Sequence, residues 1–534
     1  MNAIFMKRSL FFVVCILILC TFCFSQDTRV EIKLNRIPNE MEVISLEKKG
    51  FLLLYSGGER RGNNNSLNVT RFNTNFEEQW NKLVDIPSRF TIETYLIDSN
   101  SNRFIWISKS SSHLRLDILD LKDGLNSTQT YSLGKHAKDI VSSKIAGNDL
   151  FILFKHGPDE RAGNCFSMCC FPVALPLRMA GMSIFRYGSI YNRIDIKNQL
   201  KYEHSDAKRG ITIPDKIQSK TNSNETISVS AFMQKPHSRG KSVLVVKNID
   251  INLKTRDSII INAPKDLFLQ NIQLVESENG FAGAGTFDNS PPDPDANIYT
   301  VNTQGFYTVI IDSANNVNSL KLFRFSELKS FDQYIEDINI RGHSELSENR
   351  KKRIKKRYRN YSTMLKFNEI VERENDFIAT GEAFYPVYSS YRDANGNMVQ
   401  YFEGYNYTHC LIICFDKMGN IKWDRTVPLN FNRLYLNISQ KVEVLQNGEN
   451  VQLSYGSGGN INVITIDKDT INDPQNFKLP RLFKDDEKAS EYIADVTPWY
   501  GNKYLIWGVQ KIKKSEIKER QGSNLIYMDE MEVK

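Results

Sequence analysis

Phe72-Asn73-Thr74-Asn75-Phe76-Glu77-Glu78-Gln79-Trp80 and Phe415-Asp416-Lys417-Met418-Gly419-Asn420-Ile421-Lys422-Trp423 stand 343 residues apart and follow one pattern. Each runs from an aromatic residue through Asn or Asp and a polar turn to Trp eight positions on. Ile194-Asp195-Ile196-Lys197-Asn198-Gln199-Leu200-Lys201-Tyr202 is a third copy with Tyr in place of Trp. A strand that ends in Asp or Asn, a tight turn and a returning strand that carries an aromatic make a hairpin, and its recurrence implies a repeat architecture. Trp80 and Trp423 are therefore expected at equivalent places in different repeats, largely buried between neighbouring sheets.

Short apolar runs recur in step with these hairpins. They begin at Phe51, Phe104, Leu150, Ile227, Phe281, Phe377, Val451 and Tyr504, at intervals of 53, 46, 77, 54, 96, 74 and 53 residues. Near-continuous apolar runs of this length read as strands covered on both faces. Between Phe104 and Leu150 four strands fit, at 103–109, 113–121, 128–133 and 139–145. Four antiparallel strands per ~50 residues is the blade of a β-propeller. The expected fold is thus all-β: a single propeller of eight four-stranded blades, with seven as the alternative, the apolar runs being the innermost strands. The C-terminal end supplies only two strands to the last blade, 503–510 and 523–528, so 29–35 and 42–47 are expected to complete it and cover its edges. The long intervals place insertions at 164–188, 320–361 and 385–406, and 321–340 and 344–358 have helical composition.

Residues 1–25 read as a signal peptide: Lys7 and Arg8, then an apolar stretch from Leu10 to Leu19, then a small-x-small site before Gln26. The remainder, 26–534, is expected to be exported to the periplasm or cell surface, with no transmembrane segment after cleavage. The net charge of +7 is localised. Setting aside the two cations of the signal and the eight in 350–359 leaves −3. Cys165, Cys169, Cys170, Cys410 and Cys414 lie after the cleavage site, an odd number that leaves at least one thiol unpaired in a monomer.

The turn-and-tryptophan pattern resembles the repeat of quinoprotein-like propellers, in which Asp, a Gly-containing turn and Trp recur in each blade. It is complete at Asp416, Gly419 and Trp423 and partial at Asn73/Trp80 and Asp195/Tyr202. Ile249-Asp250 and Ile466-Asp467 lack the Trp. The chain is also similar to uncharacterised exported bacterial propeller proteins. The first resemblance spans eight-bladed dehydrogenases and non-catalytic envelope scaffolds, so the fold alone does not choose between them. It implies one enzyme feature, a vicinal Cys169–Cys170 disulfide against a quinone cofactor. No calcium-binding carboxylate cluster or catalytic Asp accompanies that pair, and a loop disulfide of Cys165 with Cys169 or Cys170, or reduced thiols, are the alternatives.

No catalytic constellation stands out. The seven histidines are scattered, without a His-Glu-x-x-His pair, and no Gly-x-Ser-x-Gly elbow or Gly-rich phosphate loop occurs. Cys410 and Cys414 lie on one face of an alternating strand ~13 Å apart, too far to bridge, and read as buried structural thiols. Asp288, Asp293 and Asp295 lack the spacing of a calcium loop. The one segment that implies a partner is Arg350, Lys351, Lys352, Arg353, Lys355, Lys356, Arg357 and Arg359, a candidate polyanion-binding run. Export argues for an anionic envelope surface and against nucleic acid. The expected function is a non-catalytic, cofactor-free binding scaffold at the bacterial cell envelope, engaging an envelope protein or glycan. The alternative is a quinoprotein-like or glycan-active enzyme using the central funnel.

Overall fold

A computed structural model describes residues 29–34, 36–38, 41–56, 64–98, 101–133, 137–146, 149–156, 186–195, 200–205, 208–209, 211–219, 226–234, 242–250, 252–291, 302–340, 362–392, 397–429, 431, 438–457, 460–467, 470–478, 487–514 and 523–533. The fold is nearly all β. Among the described residues eight antiparallel sheets follow one another along the chain, over 41–87, 91–132, 137–209, 211–262, 268–324, 364–428, 443–478 and 487–532, the last completed by Val30–Leu34. In each, the strands lie in chain order from one edge to the other, with a short extra strand in the third, fifth and seventh.

The apolar runs are the second strands, not the first. Phe51–Ser56, Arg103–Lys109, Gly280–Asp288, Asp376–Arg392 and Lys503–Lys514 each pair on both sides. The four-strand unit is therefore shifted by one from the sequence reading. The second sheet opens with Thr91–Asp98, and 137–146 opens the third. The reason is visible in burial: Thr91–Asp98 is largely half-exposed, whereas five successive residues of Arg103–Lys109, Phe104 to Ser108, are buried. A strand paired on both edges and covered on both faces admits no polar alternation; an edge strand does.

The repeated turn follows the third strand. Asn73, Asp250, Asp312 and Asp416 each accept hydrogen bonds through Oδ1 from the backbone N–H groups two and four residues on, at 2.8–3.0 Å. The backbone closes beneath, from the N–H of each to the carbonyl four residues on. This geometry forces a left-handed residue at the fourth position, filled by Phe76, Leu253, Asn315 and Gly419. Only Gly419 is free of the Cβ penalty there, so the Gly of the motif is optional while the Asx acceptor recurs. Asp120 ends the third strand of the second sheet with a longer version of the same turn. The aromatics after the turn, Trp80 and Trp423, do lie at matching places on fourth strands, Glu78–Pro87 and Ile421–Pro428, but both are half-buried, because a fourth strand is an edge.

The chain forms two compact units, one from the described residues of 1–58, 68–81 and 480–534 and one from those of 59–67 and 82–479. In the first, Val30–Leu34 pairs with Ser523–Glu532, in register Val30 to Met528 and Leu34 to Asn524. The two ends of the sequence thus share a sheet, as expected. The second N-terminal strand does not join it: Met41–Ser45 opens the first sheet against Phe51–Ser56. Glu487–Pro498 takes the place reserved for it. Phe51, Phe72, Phe76, Trp499, Trp507 and Met528 fill the core between these strands.

In the second unit, among the described residues of 320–361, residues 321–324 are still strand, a helical turn follows at Phe325–Glu327 and the helix is Lys329–Ile340, while 344–358, read from sequence as helical, lies outside the described residues. The helix contributes Phe331 and Ile335 to the core that holds Leu411, Ile413 and Phe415 of the sixth sheet. Its N-terminal end is held by Asp424, which accepts from both the N–H and the hydroxyl of Ser330. A carboxylate there faces the positive end of the helix dipole. The described residues of 385–406, a stretch read from sequence as an insertion, belong to the outer halves of two strands, Asp376–Arg392 and Met398–Asp416. Among the described residues no helix is long and apolar enough to cross a membrane.

Candidate functional site

The second and third strands of the sixth sheet are 17 and 19 residues long. Met364–Glu372 covers the outer edge of the first only as far as Phe384, and Ile421–Pro428 covers the second only from His409 onward. Beyond these points the pair continues as a two-stranded ribbon, Tyr385 opposite Asn406 and Arg392 opposite Met398. The ribbon carries two added residues, Thr408 and Glu403, at its register shifts. Such bulges sharpen local twist.

At its root both faces are buried. Cys410 and Ile412 point into one core with Ile378, Phe384 and Tyr407, while Leu411, Ile413 and Phe415 point into another. The sequence reading of Cys410 and Cys414 as buried thiols outside any disulfide matches this arrangement. Within the first core lies Glu382, 1 % exposed. It accepts from Asn368 Nδ2 at 2.7 Å and from the N–H groups of Lys441 and Val442 at 2.9 Å. Burial raises its carboxyl above the usual range despite these donors. Burial, with Glu382 opposite, drives the Cys410 thiol well above its ordinary value. His409, on the other face, lies against the rings of Phe331 and Tyr334, and burial lowers it to about 3.

A second polar group sits at the inner end of the same strands. Asp376 bridges Arg373 Nε at 2.7 Å and Lys422 Nζ at 2.7 Å. Burial pushes its carboxyl up, but the two cations outweigh this and hold it below the usual range. Cys414 beside it is raised to about 12 by burial and by Asp376. These groups are fasteners. Glu382 ties the strand to the segment before the seventh sheet, and Cys410 and His409 are each 1 % exposed. No cluster of three metal-ligating side chains occurs among the described residues.

The tip is different. Six of the ten large apolar side chains that are exposed among the described residues lie at 385–402: Tyr385, Tyr388, Tyr391, Met398, Tyr401 and Phe402. One face carries a ladder of rings out of the core, from Phe384 and Tyr407 through Tyr405 to Phe402 and Tyr388, with centroids 4.9–5.7 Å apart. The other carries Tyr385, Tyr391 and Tyr401, with Glu403 accepting from Ser389 and Tyr401 and with Asn406 donating to the Tyr385 hydroxyl. Exposed aromatics in a contiguous patch mark contact surfaces. Sequence reasoning passed over this ribbon, although the turn residues Asp393-Ala394-Asn395-Gly396 between two tyrosine-rich runs are a hairpin signal.

The sites singled out from the sequence, Cys165, Cys169 and Cys170 and the basic run from Arg350 to Arg359, lie outside the described residues. So do Asp293 and Asp295; Asp288 ends a strand and is raised by burial.

No protein-family model matches the chain, and no curated protein matches it. Among solved structures it is similar to prolyl oligopeptidase B from Galerina marginata, at 8% identity and a TM-score of 0.37, over 90% of this chain and 56% of that one. A prolyl endopeptidase structure matches at 8% identity and a TM-score of 0.39, over 90% and 55%. The apocarotenoid oxygenase of Synechocystis matches at 8% and 0.31, over 52% and 60%. The chain thus spans little more than half the length of these proteins. Likenesses this distant say nothing of activity.

Proposed function

We propose that this chain is an exported, non-catalytic β-propeller that binds a partner at the cell envelope through segments projecting from its sheets. Each of the eight sheets is a blade in this reading, and the pairing of Val30–Leu34 with Ser523–Glu532 is the closure of the ring. The quinoprotein-like repeat resemblance supports the fold reading, and no cofactor is taken over from it. The observation that carries the function is the division of labour in the sixth sheet: its buried titratable groups are consumed in fastening strands, while its exposed apolar side chains gather on the ribbon. Binding residues held on a rigid scaffold are the usual arrangement for such a role.

The basic run Arg350, Lys351, Lys352, Arg353, Lys355, Lys356, Arg357 and Arg359 is a second contact in this reading, taking an anionic surface. The test is binding of the purified mature chain to envelope fractions of the producing cell. Shortening the ribbon by removing 387–404 should abolish stable binding and leave the melting temperature within a few degrees. Deleting 344–359 should weaken binding to heparin and anionic vesicles, with the salt dependence of exposed charges. Uptake of pyrroloquinoline quinone with Ca²⁺, or turnover of a polysaccharide, would overturn the non-catalytic reading.

A further inference from the structure

The ribbon leaves the outer edge of 385–391 without a neighbouring strand among the described strands, since Met364–Glu372 stops opposite Phe384. A two-stranded ribbon is marginal in water by itself, and a bare edge recruits another strand unless charge, proline or a bulge blocks it. The bulges fall on the other strand. The edge 385–391 reads Tyr-Pro-Val-Tyr-Ser-Ser-Tyr and holds no charged residue. Tyr385, Tyr388 and Tyr391 are 47%, 59% and 53% exposed.

The spacing of these tyrosines is symmetric about Tyr388. An antiparallel strand pair is its own complement under a two-fold axis, so a strand can pair with a copy of itself. With the axis at Tyr388, Tyr388 meets Tyr388 of the second copy and Tyr385 meets Tyr391 in both directions. Three aromatic cross-strand pairs result, each of the kind that stabilises a sheet. The faces agree: Tyr388 lies with Phe402 on one face of the ribbon, and Tyr385 and Tyr391 lie together on the other. Pro386 stands opposite Ser390, so it removes at most one donor from each half. With no charge in the seven residues, two copies meet there without local repulsion although the chain is net positive.

We propose that the chain dimerises through this edge, the two ribbons joining into one four-stranded antiparallel sheet with Tyr388 on the dyad. The proposal rests on reading the ribbon as a contact surface and gives its bare edge to a second copy of the chain, leaving its two aromatic faces to the envelope partner.

Sedimentation of the full mature chain over a range of concentrations should show a reversible monomer–dimer equilibrium. Tyr388→Lys sets two like charges directly opposite each other and should weaken self-association by at least about tenfold. Tyr401→Lys, on the other strand, should not. Register is tested separately, in a Cys165→Ser, Cys169→Ser, Cys170→Ser background. Tyr388→Cys should cross-link to itself on oxidation. Tyr385→Cys should cross-link only when mixed with Tyr391→Cys, because facing pairs alone come within disulfide reach. A chain that stays monomeric up to ~100 μM, a dimer indifferent to Tyr388→Lys, or cross-links in another register would overturn the proposal. If Tyr388→Lys abolishes envelope binding in a monomeric chain, a different partner occupies the ribbon. If it alters neither property, the contact-surface reading falls as well.

Discussion

Two strand edges in this protein receive opposite treatment. The outer edge of Ser523–Glu532 is covered by Val30–Leu34, brought from the far end of the sequence and anchored at its start. There the Arg29 guanidinium donates to Gln510 Oε1 at 3.0 Å and lies 4.8 Å from the centre of the Tyr527 ring. Among the described residues the outer edge of 385–391 carries no strand and exposes three tyrosines. Covering an edge across almost the whole sequence is entropically demanding but needs only one closure. The contrast teaches that the bare edge is local to the tip, since the same strands are fully covered at their root.

The largest test of the contrast is to bare the covered edge. Removing residues 26–36 should destabilise the protein by about 4 kcal/mol or more, from three apolar side chains at roughly 1–2 kcal/mol each plus the lost strand bonds. Chemical denaturation of the truncated chain measures it, and an unchanged midpoint would place that edge on a par with the ribbon.

The root of the ribbon can be separated from its tip by acid. His409 is neutral when folded and lowered to about 3, whereas the unfolded chain takes up a proton near its ordinary 6.5. Its contribution is therefore complete above about pH 6.5 and is lost as pH falls toward 3, amounting to about 3 kcal/mol at pH 4. Glu382, whose carboxyl is raised, works in the opposite sense: its share of stability is full at low pH and is lost as pH rises through its folded value. Comparing parent with His409→Gln from pH 7 to 4 isolates the first effect. Parallel stability curves for the two proteins would show that the imidazole is not sealed.

The two repeat tryptophans sharpen the meaning of an edge strand. Each is half-buried on a fourth strand, so Trp80→Ala and Trp423→Ala should each cost about 2 kcal/mol, below the ~3–5 kcal/mol of a fully buried aromatic. Smallest of all, Tyr385→Ser and Tyr391→Ser on the bare edge should change monomer stability by no more than about 0.5 kcal/mol, measured well below any association concentration. A cost above 2 kcal/mol would mean that the tyrosines are structural.

The sequence by itself determined the all-β class, the recurrent hairpin and the sharing of a sheet by the two ends. The first two rest on short-range chemistry, an Asx side chain two and four residues from the N–H groups it binds and an apolar run long enough for one strand, and the third rests on a last sheet that the C-terminal strands leave incomplete. The turn was legible even where Phe76 or Leu253 replaces glycine, because the acceptor at its start defines it. Tertiary structure alone decided which strand of each four the apolar run occupies. That depends on neighbours at both edges, and periodicity reports only the faces. It also decided that Met41–Ser45 opens the first sheet instead of closing the last, a choice among edges with similar alternation. Glu382 and His409 were invisible as a buried polar centre because their partners, Asn368, Lys441, Phe331 and Tyr334, come from separate parts of the chain. The ribbon went unread for a related reason: its residues look like any tyrosine-rich loop until the register shows two strands running past the edges that should have covered them.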